Sequence, residues 1–151
     1  MFFQDYKNHI NEVEGIQFPS NSYRQVVLQP AYDEAKRHFL TSMIQIHIAH
    51  LKMLEEQQIV SKEDAKKIGK ALKNLDIEYY KTHDYNPQFE DLFFRIENKL
   101  IELGGDVAGN LHIARSRNDM GIAIYRMTLR KKLLSLMQEL LDLRSSLIAF
   151  A

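Results

Sequence analysis

The chain has 151 residues, with 20 Lys and Arg against 20 Asp and Glu, 45% hydrophobic residues, and neither cysteine nor tryptophan. Its length and apolar content suit one domain with a real core and exclude wholesale disorder. A formal net charge of zero argues against a dedicated nucleic-acid binder, and the absence of cysteine excludes disulfides, thiolate metal sites and a cysteine nucleophile.

Residues 1–30 are mixed, polar and aromatic, without sustained periodicity, and read as an N-terminal arm or loop with room for one short helix. Asp5, Lys7, Glu12 and Glu14 break up any signal-peptide core, and no apolar run approaches the roughly 20 residues of a membrane span. A soluble cytoplasmic protein is the expectation. From Ala31 the pattern changes. Phe39, Met43, Ile46, Leu51 and Leu54, with Leu40, Ile44 and Ile48 beside them, form an apolar stripe that predicts a helix ending near Gln58. Ser61-Lys-Glu-Asp64 reads as an N-cap followed by an acid in the first turn, and it opens a second helix through Ile68, Leu72, Leu75 and Tyr79. Gly69 inside that helix costs about 1 kcal/mol relative to Ala, which either close packing or simple tolerance would explain. A third helix is predicted after Pro87, from about Glu90-Asp91 to Gly104-Gly105, with Leu92, Phe93, Ile96, Leu100 and Leu103 as its stripe. The glycine pair suits a left-handed C-cap. Residues 105–120 read as one long loop.

From about Asp119 to Ala151 the leucines become regular. Leu129, Leu133, Leu136, Leu140, Leu143, Leu147 and Phe150 step alternately by four and three, a heptad seam. Leu134, Met137, Leu141 and Ile148 widen it beyond what one partner helix can cover, so a bundle is expected. About thirty residues at 1.5 Å each span roughly 50 Å, longer than a domain of this size needs. No breaker or cap follows Leu147-Ile-Ala-Phe-Ala151, and the chain is expected to be the front part of a longer protein. The expected architecture is all-α: an arm over 1–30, a small helical domain over 31–118, and the first part of a long bundle helix over 119–151.

Candidate chemistry gathers in one place. His112, Arg115, Ser116, Arg117 and Asn118 lie close together between glycines that let a backbone approach a ligand, and the segment leads into the start of the long helix. Free N–H groups and the helix dipole favour a carboxylate or phosphate there, and guanidinium forks suit carboxylates. The alternative is that Arg115 and Arg117 pair with acids of neighbouring helices while Asn118 or Asp119 caps the long helix. The glycine spacing fits neither a Walker nor a dinucleotide fingerprint. Glu90-Asp91 reads more readily as a helix cap than as functional acids. His47 and His50 stand three apart on an apolar-faced helix without a convergent carboxylate, so a structural role outweighs metal ligation. The run Arg126, Arg130, Lys131, Lys132 reads as a solvated face, with no nucleic acid implied.

Gly105-Asp-Val-Ala-Gly-Asn-Leu-His-Ile-Ala-Arg-Ser-Arg-Asn-Asp119 closely resembles the first conserved block of the argininosuccinate lyases and related delta-crystallins, in the fumarase/aspartase superfamily. That family reads approximately G-D-V-G/A-G-K-L-H-T-G/A-R-S-R-N-D-Q there. Glu90-Asp-Leu-Phe-Phe-Arg-Ile-Glu97 and the residues to Glu102 are similar to the family's helix before that block. Ile48-Ala-His-Leu-Lys-Met-Leu54 and Ile59-Val-Ser-Lys-Glu-Asp-Ala65 are similar to its two opening helices. The resemblance covers about residues 31–151 and is most specific at Arg115-Ser-Arg-Asn-Asp119.

The resemblance implies an all-α fold in which a small N-terminal domain leads into a bundle that assembles as a homotetramer. It implies a lyase that abstracts a proton beside a carboxylate and expels an amine to leave fumarate, with arginine as the other product by default, in arginine biosynthesis. Asn118 matches the family's substrate-binding Asn, Arg117 and Ser116 match residues lining the same site, and Asp91 matches an Asp of the active-site region; Arg115 and His112 complete the set expected to bind substrate. No cofactor, metal, nucleic acid or membrane is implied. Catalytic residues are expected outside this chain, because the family's Thr-His block and its Gly-Ser-Ser-x-Met-Pro loop lie downstream. The chain departs from the pattern where the family has His (Phe93 here), Thr (Ile113) and Gln (Met120). It also lacks the Trp-Gly-Gly-Arg-Phe segment, and no counterpart of the N-terminal substrate-binding Ser aligns around Tyr32-Asp33. These departures imply a divergent member with lyase chemistry kept and the amine half of the substrate open. A related lyase for another N-substituted aspartate and a non-catalytic helical oligomer are the alternatives.

Overall fold

A computed structural model describes residues 7–9, 12 and 19–151. Among the described residues there is no strand, and from Asn21 onward seven α-helices follow: α1 (Asn21–Tyr23), α2 (Gln29–Glu34), α3 (Leu40–Glu56), α4 (Lys62–Lys73), α5 (Ile77–Thr82), α6 (Leu92–Gly104) and α7 (Arg117–Phe150). The all-α expectation holds.

The first three helices form one continuous helical run, joined by π-helical turns at Arg24–Leu28 and Ala35–Phe39. Residues 21–30, read from sequence as arm or loop, are therefore helical, and most of the preceding stretch lies outside the described residues. Ser20 starts the run by accepting from the Tyr23 N–H. Pro30, which sequence reading treats as a breaker, sits in the first turn of α2 directly after a π turn. The wider turn shifts the Gln29 N–H onto the Arg24 carbonyl, a local rearrangement of the ladder just where proline removes a donor. Leu28 and Tyr32 turn inward, the latter only 1% exposed, while Val26 is left in solvent.

Leu40, Met43, His47, Leu51 and Leu54 make the buried face of α3, and Ile48 lies outside it. Ser61 caps α4 by accepting from the Asp64 N–H at 3.1 Å, as its sequence pattern predicts. The predicted second helix does not continue to Tyr79, because it stops at Lys73. Asp76 then caps a separate α5 by accepting from the Tyr79 N–H at 3.0 Å. A side chain that serves the backbone better as a cap than as a helix interior explains the break. Gly69 is tolerated rather than required, since an added Cβ would meet only Leu51 Cδ2 at 3.7 Å.

Asp91 caps α6, whose buried face is Leu92, Phe93, Arg95, Ile96 and Leu100; Leu103, predicted in that stripe, is exposed. At its other end Gly104 packs so closely that a Cβ would lie 3.2 Å from both Ala71 and Ala108 Cβ. Gly105 closes the helix at φ 74°, ψ −174°. Its positive φ meets the glycine expectation, but its ψ is extended rather than left-handed helical. The predicted long loop over 105–120 is instead a 3₁₀ segment, Asp106–His112, followed by a short link and the first turn of α7.

Only Met120 and Ile124 of α7 are buried, and its leucine seam from Leu129 to Leu147 is at least 43% exposed. The helix touches the rest of the molecule through its first turns, with Thr128 Oγ1 donating to the His38 carbonyl at 3.2 Å. Among the described residues, no helix is long and apolar enough to cross a membrane.

Candidate anion-binding site at the head of the long helix

Ser116 fixes where α7 begins. Its backbone is extended and its hydroxyl accepts from the Asn118 N–H at 3.2 Å, so Ser116 is the cap, in place of Asn118 or Asp119. Arg115 and Arg117 thereby flank the helix start. A cap of this kind satisfies one of the free N–H groups of the first turn and leaves others facing outward.

Arg115 is anchored from behind by two imidazoles. It donates to His112 Nδ1 at 2.8 Å and to His47 Nδ1 at 3.2 and 3.3 Å. A guanidinium has only donors, so both Nδ1 atoms accept and both rings carry their proton on Nε2. The His112 Nε2–H then donates to Glu97 Oε1 at 3.1 Å. Burial, reinforced by the Arg115 charge, depresses His47 to a pKa of about 3 and His112 to about 4, so both rings are neutral at pH 7. Burial pushes the Glu97 carboxyl up and the Arg115 guanidinium down from their ordinary values. Among the described residues, the His47 Nε2–H is buried without a partner.

Arg117 occupies the other side. It pairs with Asp91 and lies over two aromatic faces, its Cζ 4.8 Å from the Phe93 ring centre and 4.5 Å from that of Phe94. Asp91 does two things: one carboxylate oxygen accepts from the Phe94 N–H at 3.0 Å, and the other holds Arg117. Phe93 joins the halves, since its ring also meets His47 and His112 at centroid distances of 6.1 and 5.2 Å. Next to Arg117 an apolar cleft of about 420 Å³ opens, walled by Phe39, Met43, Phe93, Met120 and Ile124.

All six residues expected to bind substrate thus fall in one region, with unequal parts. Arg115 and His112 form one cluster, and Arg117 and Asp91 another. Ser116 is engaged as the cap. The exposed Asn118 side chain makes no hydrogen bond among the described residues, so its amide is available. The alternative in which the arginines pair with acids holds for Arg117 and fails for Arg115. His47 has the structural role its sequence pattern suggested, and the sequence did not show that this role is to hold Arg115. The available signal was its place on the 43–47–51 stripe, which buries an imidazole whose polar nitrogens then call for a neighbour as partner. His50 also serves the site's backbone, with its Nε2 2.9 Å from the Ile113 carbonyl. The ensemble can bind an anion through Arg117, Asn118 and the open N–H groups of α7. His112 has both ring nitrogens engaged and His47 is buried, so neither is placed to move a substrate proton.

No family model matches the chain, and no solved structure matches it significantly. Curated proteins do. Argininosuccinate lyase 2 of Agrobacterium fabrum is 41% identical over 77% of the chain, and argininosuccinate lyase of Methanococcus maripaludis is 39% identical over 77%. The enzyme of that name from Methanosarcina acetivorans is 36% identical over 87% of the chain. The chain spans 23%, 24% and 29% of these three relatives, respectively. It accordingly belongs with the argininosuccinate lyases, whose N-terminal part it matches.

Proposed function

We propose that the protein carrying this chain is a cytoplasmic, tetrameric lyase that cleaves argininosuccinate by β-elimination to fumarate and arginine. In this reading residues 31–118 are its N-terminal domain and α7 is the start of its central bundle helix. The observation that carries the reading is Arg117. It is a half-exposed guanidinium at a helix N-terminus, stacked on two rings, held by an acid that an incoming carboxylate can replace, and beside a free Asn118 amide. Arg115, locked by His47 and His112, adds fixed positive charge behind it. Such donors serve a reaction in which negative charge grows on the substrate carboxylate. The proton-transfer groups come from outside this chain, and the exposed leucine seam is where the remaining bundle packs.

The test is fumarate release from argininosuccinate by the complete protein, followed by ultraviolet absorbance. Robust release is expected, and Arg117→Ala is expected to cripple it while sparing assembly. Unchanged turnover in that variant would refute the role of Arg117. No release from a well-folded oligomer would refute the substrate. A second reading, elimination from another N-substituted aspartate, is favoured by the buried Phe93 and Met120 on the cleft wall, where the family has His and Gln. Those two polar groups would otherwise be available to a guanidine-bearing product.

A further inference from the structure

A second cavity, of about 410 Å³, lies on a different face of α6 and shares no residue with the site above. Arg95, Asn98, Lys99 and Glu102 repeat at helical spacing along it, whereas Phe93 and Glu97 face the first site. Arg95 is the unusual member. It is only 9% exposed, yet its hydrogen bonds go to neutral oxygens: the Tyr32 hydroxyl at 2.5 Å, the Asp84 carbonyl at 2.8 Å and the Tyr79 hydroxyl at 3.0 Å. Its Cζ lies 5.7, 5.3 and 5.8 Å from the ring centres of Tyr32, Tyr79 and Tyr80. Burial holds the Tyr32 and Tyr80 phenols neutral, so neither is a counter-anion. Among the described residues, no carboxylate pairs with Arg95. A buried cation without an anion is costly, and three bonds leave part of its five-donor fork open.

The remaining lining says which anion fits. Lys99 is already paired with Glu102 at 2.8 Å, which leaves Arg95 opposed only by Asp76 elsewhere in the cavity. A lining with one open cation and one acid repels a multiply charged phosphate and suits a ligand that carries both signs. The exposed part of the Tyr79 ring and the half-buried Phe89 supply apolar surface, and Asn98 supplies a neutral amide.

We propose that this cavity binds a free α-amino acid with a planar side chain, its carboxylate on the open edge of Arg95, its ammonium toward Asp76 and its side chain against Tyr79 and Phe89. Isothermal titration of the complete chain with phenylalanine, arginine and alanine, and with the methyl esters and N-acetyl forms of the first two, tests it. Phenylalanine or arginine is expected to bind with Kd on the order of 1 mM or tighter, and its ester and N-acetyl form about tenfold more weakly. Asn98 is exposed, so Asn98→Asp is expected to keep the fold and weaken binding about tenfold by placing a negative charge beside the carboxylate. Arg95→Lys, which keeps charge but loses the fork, is expected to do the same. Absence of heat with every free amino acid would overturn the proposal, as would equal binding of the esters. Tighter binding of inorganic phosphate than of any amino acid would overturn the ligand class.

Discussion

Replacing Asp91 by Ala removes two interactions that the structure separates cleanly. The first is the cap of α6, where a carboxylate oxygen accepts from the Phe94 N–H at 3.0 Å, and loss of such a cap costs about 1 kcal/mol. The second is the pair with Arg117, whose side chains are 31% and 45% exposed for Asp and Arg. At that exposure the pair contributes at most about 0.5–1 kcal/mol, and Arg117 stays stacked on Phe93 and Phe94 without it. Asp91→Ala should therefore cost about 1.5 kcal/mol, or about 4–5 °C of melting temperature for a chain of this size. Asp91→Asn keeps a good capping oxygen and loses only the charge, so its shift should be about 1–2 °C. Salt gives the deciding comparison. In about 1 M salt, where screening acts over about 3 Å, the gap between wild type and Asp91→Asn should close while the gap between the two variants persists. Thermal melts of the three proteins at low and high salt read all of this. The reasoning is refuted if Asp91→Asn melts with Asp91→Ala, or if the difference between the variants disappears with salt.

Gly105→Ala forces a side chain to φ 74° with extended ψ, a region used almost only by glycine, and should cost about 1–3 kcal/mol in denaturant unfolding. Gly109→Ala, where an added Cβ meets nothing within 4 Å, should melt within about 0.5 kcal/mol of wild type. The two depressed histidines predict acid sensitivity. Their unfolded value of 6.5 lies above folded values of about 3 for His47 and about 4 for His112, so the unfolded chain takes up protons first. Stability is full above pH 6.5 and falls toward those values, and His47→Gln should make that limb of a pH-dependent unfolding series shallower. Glu97, shifted upward, works in the opposite sense near its own titration. Triple replacement of Leu129, Leu136 and Leu143 by Glu should leave the monomer's melting nearly unchanged, since each is at least 43% exposed, but abolish self-association in sedimentation experiments.

The sequence carried the helices best where local chemistry and burial agreed. Ser61 before an acidic first turn and Asp91 ahead of Leu92, Phe93 and Ile96 are cap and stripe together, and both helices start where that pattern puts them. It misled where a local competitor was stronger than the period. Leu75 and Tyr79 extend the stripe of α4, yet Asp76 ends the helix phase by capping anew. Pro30 looked like a boundary, and a π turn carries the helix to it without interruption. The site was legible as composition, because arginines, an amide and a serine before a long helix mark an anion site. Its division of labour was not. Nothing in the linear order says that Arg115 faces His47, 68 residues earlier, or that Arg117 folds back onto Phe93 and Phe94.

That division has a consequence for binding. Arg115 is preorganised: two acceptors fix its guanidinium, Glu97 fixes His112 in turn, and both rings must stay neutral for the arrangement to hold. In the proposed function Arg117 is conditional, because an incoming carboxylate must displace one oxygen of Asp91 to take the donor it holds. Replacing one carboxylate by another around a stacked guanidinium costs little net charge and little side-chain entropy, since the rings hold Arg117 in place throughout. Asp91 keeps its other oxygen on the α6 cap, so once the Arg117 donor passes from Asp91 to a ligand, a negative charge stays at the mouth of the cleft. A ligand that brings a cationic group to that charge gains a partner there, whereas a simple dicarboxylate such as fumarate meets repulsion. In the proposed lyase, the same acid that would compete with a substrate carboxylate for Arg117 would therefore favour departure of an anionic product.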